Sequence, residues 1–445
     1  MDLSPPKGMR DFLPSVAFRR EWIADTLKST FKQYGFVPLE TPVAERFEVL
    51  SSKFAGGDEI LKETYRFQDQ GKRELGLRYD LTVPLCRVFA ANPQLPKPFK
   101  RYQIAPVFRD GPLKKGRYRE FVQCDVDTLG VSGMLAEAEL LALAAQAFAS
   151  LGLDVVFKVN NRKLLNGLLE DAGIAKEKQS GALLSLDKLE KIGSAAVLAE
   201  LEKERGVSAT VGKKLLALFE KSGTGSNALS SIKKSLKSVE GKAGLDELQS
   251  LFDFLEAFGV KNADFVPSLS RGLNYYTATV FEAFLSQDSS SGSSITSSLA
   301  AGGRYDTMVG NFSGKSEPVP AVGISFGLDV IGEALVEQEQ NAAAGQNRAG
   351  MASSGPKVFV ISVGDTQGQC IQISQQLRHA GIFVLMDLAG RGLSKNLQWA
   401  SKQGIAYVLV VGGQEIKSGK YTLRDLATGA ERKLTLEQLE SALRA

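Results

Sequence analysis

The chain is densest in chemistry from Phe108 to Asp127, FRDGPLKKGRYREFVQCDVD, where five basic and four acidic side chains fall in twenty residues. Alternating apolar positions at both ends make it a strand, a cationic loop around Gly116 and a second strand. In the second strand Phe121, Gln123, Asp125 and Asp127 share one face, and Val122, Cys124 and Val126 the other. One face belongs to a core; the other either looks into solvent or lines a cleft. Arg109 ends the first strand, and Lys114, Lys115, Arg117 and Arg119 surround Gly116. Cations on a loop beside a polar sheet face suit a polyphosphate. Three further stretches carry functional groups. GLRYDLTVPL places Asp80 and Thr82 on one face after a hairpin. SRGLNYYTATVFEAF reads as a strand bearing Arg271, Tyr275 and Tyr276, and an arginine there is expensive to bury without an anion. LAAGGRYDTMV holds Gly302 and Gly303, which let backbone approach a ligand closely. Each alone also has an ordinary structural explanation, in packing or in a pairing with a core carboxylate.

Composition removes several alternatives. The one histidine, His379, lies in QQLRHAGI, where a basic group suits a helix end. With Cys86, Cys124 and Cys370 scattered in apolar surroundings, no zinc site or Cys-His dyad of familiar spacing can be built. Chemistry therefore rests on Asp, Glu, Arg, Lys and a bound ion. Fifty-four basic against fifty acidic residues give a net charge of +4, so any nucleic-acid surface must be local. Mean hydropathy near zero is that of a globular protein. The absence of an apolar leader and of an 18-residue apolar run, with cysteines that read as reduced thiols, predicts a soluble cytoplasmic protein with no membrane partner.

These groups need a scaffold, and 445 residues are enough for two or three domains. Periodicity predicts a helix over 16–34, a hairpin around Asp69-Gln70-Gly71 and a long helix near 133–152. Residues 162–260 read as almost wholly helical, an insertion in a domain whose strands resume at RGLNYYT. The expected fold class is α+β, an antiparallel sheet backed by helices and formed by 1–161 and 261–337. A serine-rich tract, 286–298, interrupts it. A linker at 338–356 precedes a small α/β domain, 357–445, with a mostly parallel sheet.

In order and spacing these features resemble the histidyl-tRNA synthetases, a family of class II aminoacyl-tRNA synthetases. The likeness spans nearly the whole chain. It takes in KGMRDFLP, a first class motif around Thr41-Pro42, RYDLTVPL, the second class motif FRDGPLKKGRYREFVQCD, the pair RGLNYYT and AGGRYD, and the terminal domain. RYDLTVPL and QCDVD look closer to the archaeal and eukaryotic branch than to the bacterial one. The resemblance implies a class II catalytic domain with a helical insertion and an anticodon-binding domain. It also implies a homodimer and activation of L-histidine by ATP with Mg2+, followed by transfer to tRNA(His).

By the same resemblance Arg109 and Arg271 are the catalytic cations at the α-phosphate, and Arg117 holds outer phosphates. Asp80 and Thr82 receive the α-amino group. Gln123, Asp127, Tyr275, Tyr276 and Tyr305 form the imidazole pocket, with Asp127 accepting a ring N–H. Arg391, Lys395 and Lys402 would face the anticodon, and the loop from Gly111 to Gly116 the acceptor end. The chain departs from the family around the nucleotide. Asp329 and Val330 stand where a Glu-Arg pair carries the adenine-stacking arginine, Gly111 stands for a glutamate, and Asn274 for an aspartate. That pattern admits an alternative, a histidine-binding regulatory subunit of ATP phosphoribosyltransferase. A third option is a synthetase for another amino acid of the same subclass, which the RGLNYYT motif disfavours.

Overall fold

The computed structural model describes residues 1–52, 61–113, 116–222, 225–270, 275–286, 295–312, 317–343 and 357–444. Two compact units result, residues 1–12 with 20–346 and residues 13–19 with 347–445. In the first, eight strands form one sheet. They are β1 (Val37–Pro38), β5 (Phe99–Phe108), β6 (Glu120–Leu129), β7 (Val155–Asn161), β8 (Ala263–Phe265), β9 (Thr279–Leu285), β10 (Ala300–Arg304) and β11 (Ala321–Gly327). Their order is β1-β5-β6-β11-β10-β9-β7-β8. The six central strands pair antiparallel, while β1–β5 and β7–β8 at the two edges pair parallel, so the sheet is mixed. A separate three-stranded sheet contains the expected hairpin, β3 (Arg66–Gln68) with β4 (Glu74–Leu77), beside β2 (Ala44–Arg46).

Alternation along β6 sorts its side chains as the sequence requires. Cys124 and Val126 join a core with Ile324 and Phe326 of β11 and with two helices, Pro14–Gln33 and Leu135–Ser150. The first helix buries Ile23, Leu27, Thr30 and Phe31, one stripe at i, i+4, i+7 and i+8. Phe326 anchors the contact, its ring centroid 5.6 Å from Phe31 and 5.4 Å from Phe148. The other face of β6 is buried too. Asp125 and Asp127 lie there opposite Gln103 and Arg101 of β5, and all four are inaccessible. A second apolar cluster, with Tyr79, Cys86 and Phe89 around Leu129 and Tyr305, closes this face where the helix Thr82–Ala91 packs.

RGLNYYTATVFEAF is not a continuous strand. β9 starts only at Thr279, and Tyr275 and Tyr276 stand on the segment leading into it, so strand alternation does not govern where they point. Before that segment, Asn160 Nδ2 donates to the carbonyls of Pro267 and Leu269, and just ahead of β9 the Thr277 amide donates to the Arg304 carbonyl. Asp80 and Thr82 are likewise not on one strand face. Asp80 sits in the turn after β4, its carboxylate accepting from the Val83 amide at 3.0 Å, and Thr82 is the first residue of the following helix.

Among the described residues the insertion, from Arg162 to Ala257, is built of successive helices with short connections. Asn161 caps its first helix through the Lys163 amide, and Ser238 caps its last, Val239–Ala257, through the Gly241 amide. Those two helices pack backbone to backbone, because a Cβ on Gly167 would stand 2.4 Å from the Gly241 Cα. The helix Leu328–Ala343 extends into the stretch expected as linker, and 344–356 lie outside the described residues, as does most of the serine tract.

The second unit has five strands, β12 (Val358–Ser362), β13 (Val384–Met386), β14 (Tyr407–Val411), β15 (Tyr421–Asp425) and β16 (Glu431–Leu434), in the order β13-β12-β14-β15-β16. Pairing is parallel for β13–β12 and β12–β14 and antiparallel for β14–β15 and β15–β16, so the sheet is half parallel rather than mostly so. Val358 and Val360 pack toward the helices Gln367–His379 and Leu436–Arg444; Phe359 and Ile361 pack toward the helix Leu393–Lys402. His379 is the last residue of its helix, two before Gly381.

Candidate active site

The polar face of β6 holds a cluster of charges closed off from water. Arg101, fully buried, pairs with Asp127 Oδ2 at 2.8 Å and donates to the Leu81 carbonyl. Asp127 Oδ1 accepts a short hydrogen bond from the Tyr305 hydroxyl. Burial, then the Asp127 charge, raises the Tyr305 pKa well above its usual value, so the hydroxyl remains a donor. Asp125 is pushed up to about 7 by burial and by Asp127, against the pull of Arg101 and a hydrogen bond from Ser325. Ser325 Oγ in turn accepts from Gln123 Nε2 at 2.9 Å. Among the described residues, Gln123 Oε1, Asp125 Oδ1 and two nitrogens of Arg101 are buried without a hydrogen-bond partner. Buried groups with both acceptors and donors unspent have the chemistry to take a polar ring.

Register explains why this cluster fits. Asp127 stands opposite Gly323 of β11, where a Cβ would fall 1.9 Å from Asp127 Oδ1. Tyr305 follows β10, whose last residue, Arg304, is clamped by the buried carboxylate of Glu137 at 2.6 and 2.7 Å. Gly302 and Gly303 do bring backbone close, but to protein. A Cβ on Gly302 would meet the Gly323 carbonyl at 2.1 Å, and one on Gly303 the Tyr276 ring at 2.8 Å. Tyr275 then joins the pocket residues into one aromatic group, 4.7 Å from Tyr276 and 6.3 Å, edge-on, from Tyr305.

Arg109 joins this end of the sheet to the cationic loop, its amide donating to the Arg119 carbonyl at 2.8 Å. Its Nε donates to the Tyr79 carbonyl at 3.0 Å, and its guanidinium lies 5.1 Å from the centroid of Phe121. Burial lowers its pKa from the usual arginine value; Asp80, Tyr275 and Glu63 oppose that, and Arg117 adds to it. Asp80 is itself held up to about 6 by burial, with Arg109, Arg101 and Asp127 as its charged neighbours. The structure thus gathers Asp80, Gln123, Asp127, Tyr275, Tyr276, Tyr305 and Arg109, with Thr82 half-buried at the adjoining helix start. Arg271, Lys114 and Lys115 lie outside the described residues.

Arg117 is engaged by a carboxylate, with Nη2 2.7 and 2.9 Å from the two oxygens of Glu63. The same carboxylate occupies the space a side chain at Gly111 would need, since a Cβ there would be 2.7 Å from it. The departures around Asp329 are explained as well. Asp329 Oδ1 accepts from Arg10 and Arg20, each at 2.6 Å, and Oδ2 from the Val122 amide, tying three segments to β6. Sequence reasoning missed Arg101, Glu63, Arg10 and Glu137. Arg101 had a signal, an arginine at a core position of an apolar strand; the others pair over distances in sequence that no local pattern displays.

In the second unit Arg391, Lys395 and Lys402 are exposed. The Asp387 carboxylate accepts from the amides of Ala389 and Arg391 and from Asn396, fixing a loop on which the Arg391 guanidinium lies 5.2 Å from the Trp399 centroid.

The carboxyls of Asp80 and Asp125 are raised in the folded state, so their contribution to stability is full below the unfolded value of ~4 and is lost as pH rises through about 6 and about 7. Urea denaturation of the first unit at pH 5 and pH 8 should show lower stability at pH 8, by on the order of a few kcal/mol. Asp125→Asn should flatten that slope; an unchanged slope contradicts the buried cluster.

Comparison with known proteins identifies the family. A profile described as "Histidyl-tRNA synthetase" matches residues 8–331, and one described as "Anticodon binding domain" matches 357–445. "Histidine--tRNA ligase 1" of Bacillus cereus is 45% identical over 446 residues, covering 99% of this chain and 97% of the relative. "Histidine--tRNA ligase" of Gloeobacter violaceus is 38% identical over 470 residues, covering 98% and 97%. The crystal structure of histidyl-tRNA synthetase from Nostoc sp. PCC 7120 superposes with a TM-score of 0.83 at 30% identity, over 100% of this chain and 99% of that one. These relatives are bacterial, which gives no support to the leaning of RYDLTVPL and QCDVD toward the archaeal and eukaryotic branch. The fold is that of a class II synthetase with a separate anticodon-binding domain, and the chain belongs to the histidyl-tRNA synthetase family.

Proposed function

We infer that the chain is a histidine–tRNA ligase that activates L-histidine with ATP to histidyl-adenylate and transfers the histidyl group to tRNA(His). The observation that carries this is the placement of Arg109 just past the end of β5, its Nε fixed on the carbonyl of Tyr79, the residue before Asp80, and its guanidinium 5.1 Å from the centroid of Phe121 on β6. A cation there can hold the substrate carboxylate and the α-phosphate together. The histidine carboxylate attacks the α-phosphorus, pyrophosphate leaves, and Arg109, with Arg271 from the neighbouring motif, meets the charge that builds on the phosphoryl oxygens. No protein base is required, because the nucleophile is already ionised. In the second step a terminal ribose hydroxyl of tRNA attacks the activated carbonyl and AMP leaves.

The imidazole would lie over the β6 cluster. Both oxygens of Asp127 are engaged, yet each retains a lone pair for a ring N–H, and Gln123 Oε1 is a second acceptor. Substrates without matching polar atoms leave those groups stranded, so the pocket can discriminate without editing. Asp80 and Thr82 would take the α-ammonium, and Tyr275, Tyr276 and Tyr305 would wall the ring. Arg117 would leave Glu63 for the outer phosphates. Magnesium would arrive with ATP, held by phosphate oxygens and neutralising their charge; among the described residues no three metal-binding side chains cluster.

Residues 1–161 and 261–337 are assigned to catalysis and 162–260 to an insertion gripping the acceptor stem. After the 338–356 linker, 357–445 would read the anticodon through the surface around Arg391, Lys395 and Lys402. The regulatory-subunit alternative is less supported, since relatives matched over the whole chain bear ligase names. No described helix is long and apolar enough to cross a membrane, and a cytoplasmic site of action fits the tRNA substrate.

Histidine should drive exchange of pyrophosphate into ATP, and proline, threonine or glycine should not; exchange with one of those alone would refute the assignment. Arg109→Ala should lower exchange by about a hundredfold or more while calorimetric histidine binding persists, and full activity in that variant would exclude its role. A homodimer through the first class motif is supported by the exposed apolar side chains Val37 and Val43 flanking Thr41-Pro42. Sedimentation at micromolar concentration should give a particle of about twice the 47.9-kDa chain mass, and a monomer would count against it.

A further inference from the structure

The first two turns of the helix Leu328–Ala343 carry Asp329, Val330 and Glu333, three residues without a cation among them, yet they recruit one from elsewhere. Asp329 binds Arg10 at 2.6 Å, and Glu333 accepts from the Tyr118 hydroxyl at 2.6 Å. The two captured groups meet. The Arg10 guanidinium carbon lies over the Tyr118 ring, 3.2 Å from its centroid, a cation–π contact, with Phe12 at 5.0 Å on the same cation. Arg10 is fixed but not hidden, with about a third of its side chain exposed and its Nε buried without a partner among the described residues. Gly8, Arg10, Leu113, Arg117 and Tyr118 line a cleft of about 300 Å³. That is at the small end of ligand pockets and of the scale of a heterocyclic base. Arg117 pairs with Glu63, whose carbonyl accepts from the amide of Asp110, the residue after Arg109, so the cleft adjoins the proposed phosphate path. Gly8 is required for this shape. Its φ of +87° is left-handed, and a Cβ there would meet Arg119 and Leu113 at under 3 Å.

We propose that Arg10 is the residue on which the adenine ring of ATP stacks, a planar cation delivered from the N-terminal segment and held flat by Tyr118 and Asp329. The inference rests on ATP being the substrate and names the side chain that holds its base. A guanidinium can sandwich a purine in a way a point-charge ammonium cannot, which makes Arg10→Lys informative: it keeps the charge opposite Asp329 and loses the plane.

The test is competitive inhibition of pyrophosphate exchange by adenosine, which has only the base and ribose, and by inorganic tripolyphosphate, which has only the phosphates. In both Arg10→Lys and Arg10→Ala, adenosine inhibition and ATP KM should weaken by about tenfold. Histidine KM and tripolyphosphate inhibition should stay within twofold, and Arg10→Lys should melt with the unmodified enzyme. Adenosine inhibition unchanged in both variants overturns the proposal, as does an equal loss of adenosine and tripolyphosphate inhibition, which would mark Arg10 as a prop for the cleft. No histidine-driven exchange in the unmodified enzyme would overturn the ligase assignment itself, a result separable from either of these.

Discussion

A single buried ion pair, Arg101 with Asp127, sets the terms for the first unit. Both side chains are shut away from water between the second and third strands of an eight-stranded sheet, Arg101 fully and Asp127 to within 4%. Removing two charges from solvent costs several kcal/mol per ion, and their attraction recovers this only with good geometry and further hydrogen bonds. The surroundings supply both. Antiparallel pairing puts the two residues directly opposite one another, the Tyr305 hydroxyl satisfies the second carboxylate oxygen, and Gly323 leaves the room that any side chain would take away. Such a pair is a poor source of net stability. It is a good way to fix one carboxylate in one orientation, which a pocket that must tell imidazole from other rings needs.

The remaining constraints keep this carboxylate and Arg109 in one frame. Arg304 and Glu137 pin the end of β10, and with it Tyr305. Gly303 accepts the Tyr276 ring against its backbone, and Tyr276 in turn carries Tyr275. Asp329 joins the N-terminal segment, the 14–33 helix and the β6 backbone, so a position that departs from the family sequence still does structural work. Glu63 does something similar at Gly111, its carboxylate filling the volume that the missing glutamate side chain would have used. Residues distant in sequence thus restore in space what local motifs lack.

Much of this was legible beforehand because it is written in short periods. The alternation of VQCDVD declares which side chains share a face, and the stripe Ile23, Leu27, Phe31 declares a helix against a core. Asp69-Gln70-Gly71 marks its hairpin. Three things were not legible. That the polar face of β6 is closed rather than open depends on the helix Thr82–Ala91 and the segment after β10 covering it, a tertiary fact. Tyr275 and Tyr276 read as strand from their β propensity, but β9 begins only at Thr279, and tertiary context overrides local preference there. Arg10 and Glu63 look like surface charges until their partners, hundreds or tens of residues away, are seen.

The central claim is that the Asp127 carboxylate, oriented by Arg101 and Tyr305, is what selects the imidazole. Calorimetric titration of L-histidine into folded Asp127→Asn, which preserves shape and removes the charge, tests this most directly. Affinity should fall by roughly thirtyfold or more, the scale of a hydrogen bond to a buried charged group. Histidine binding within threefold of the unmodified protein would contradict it.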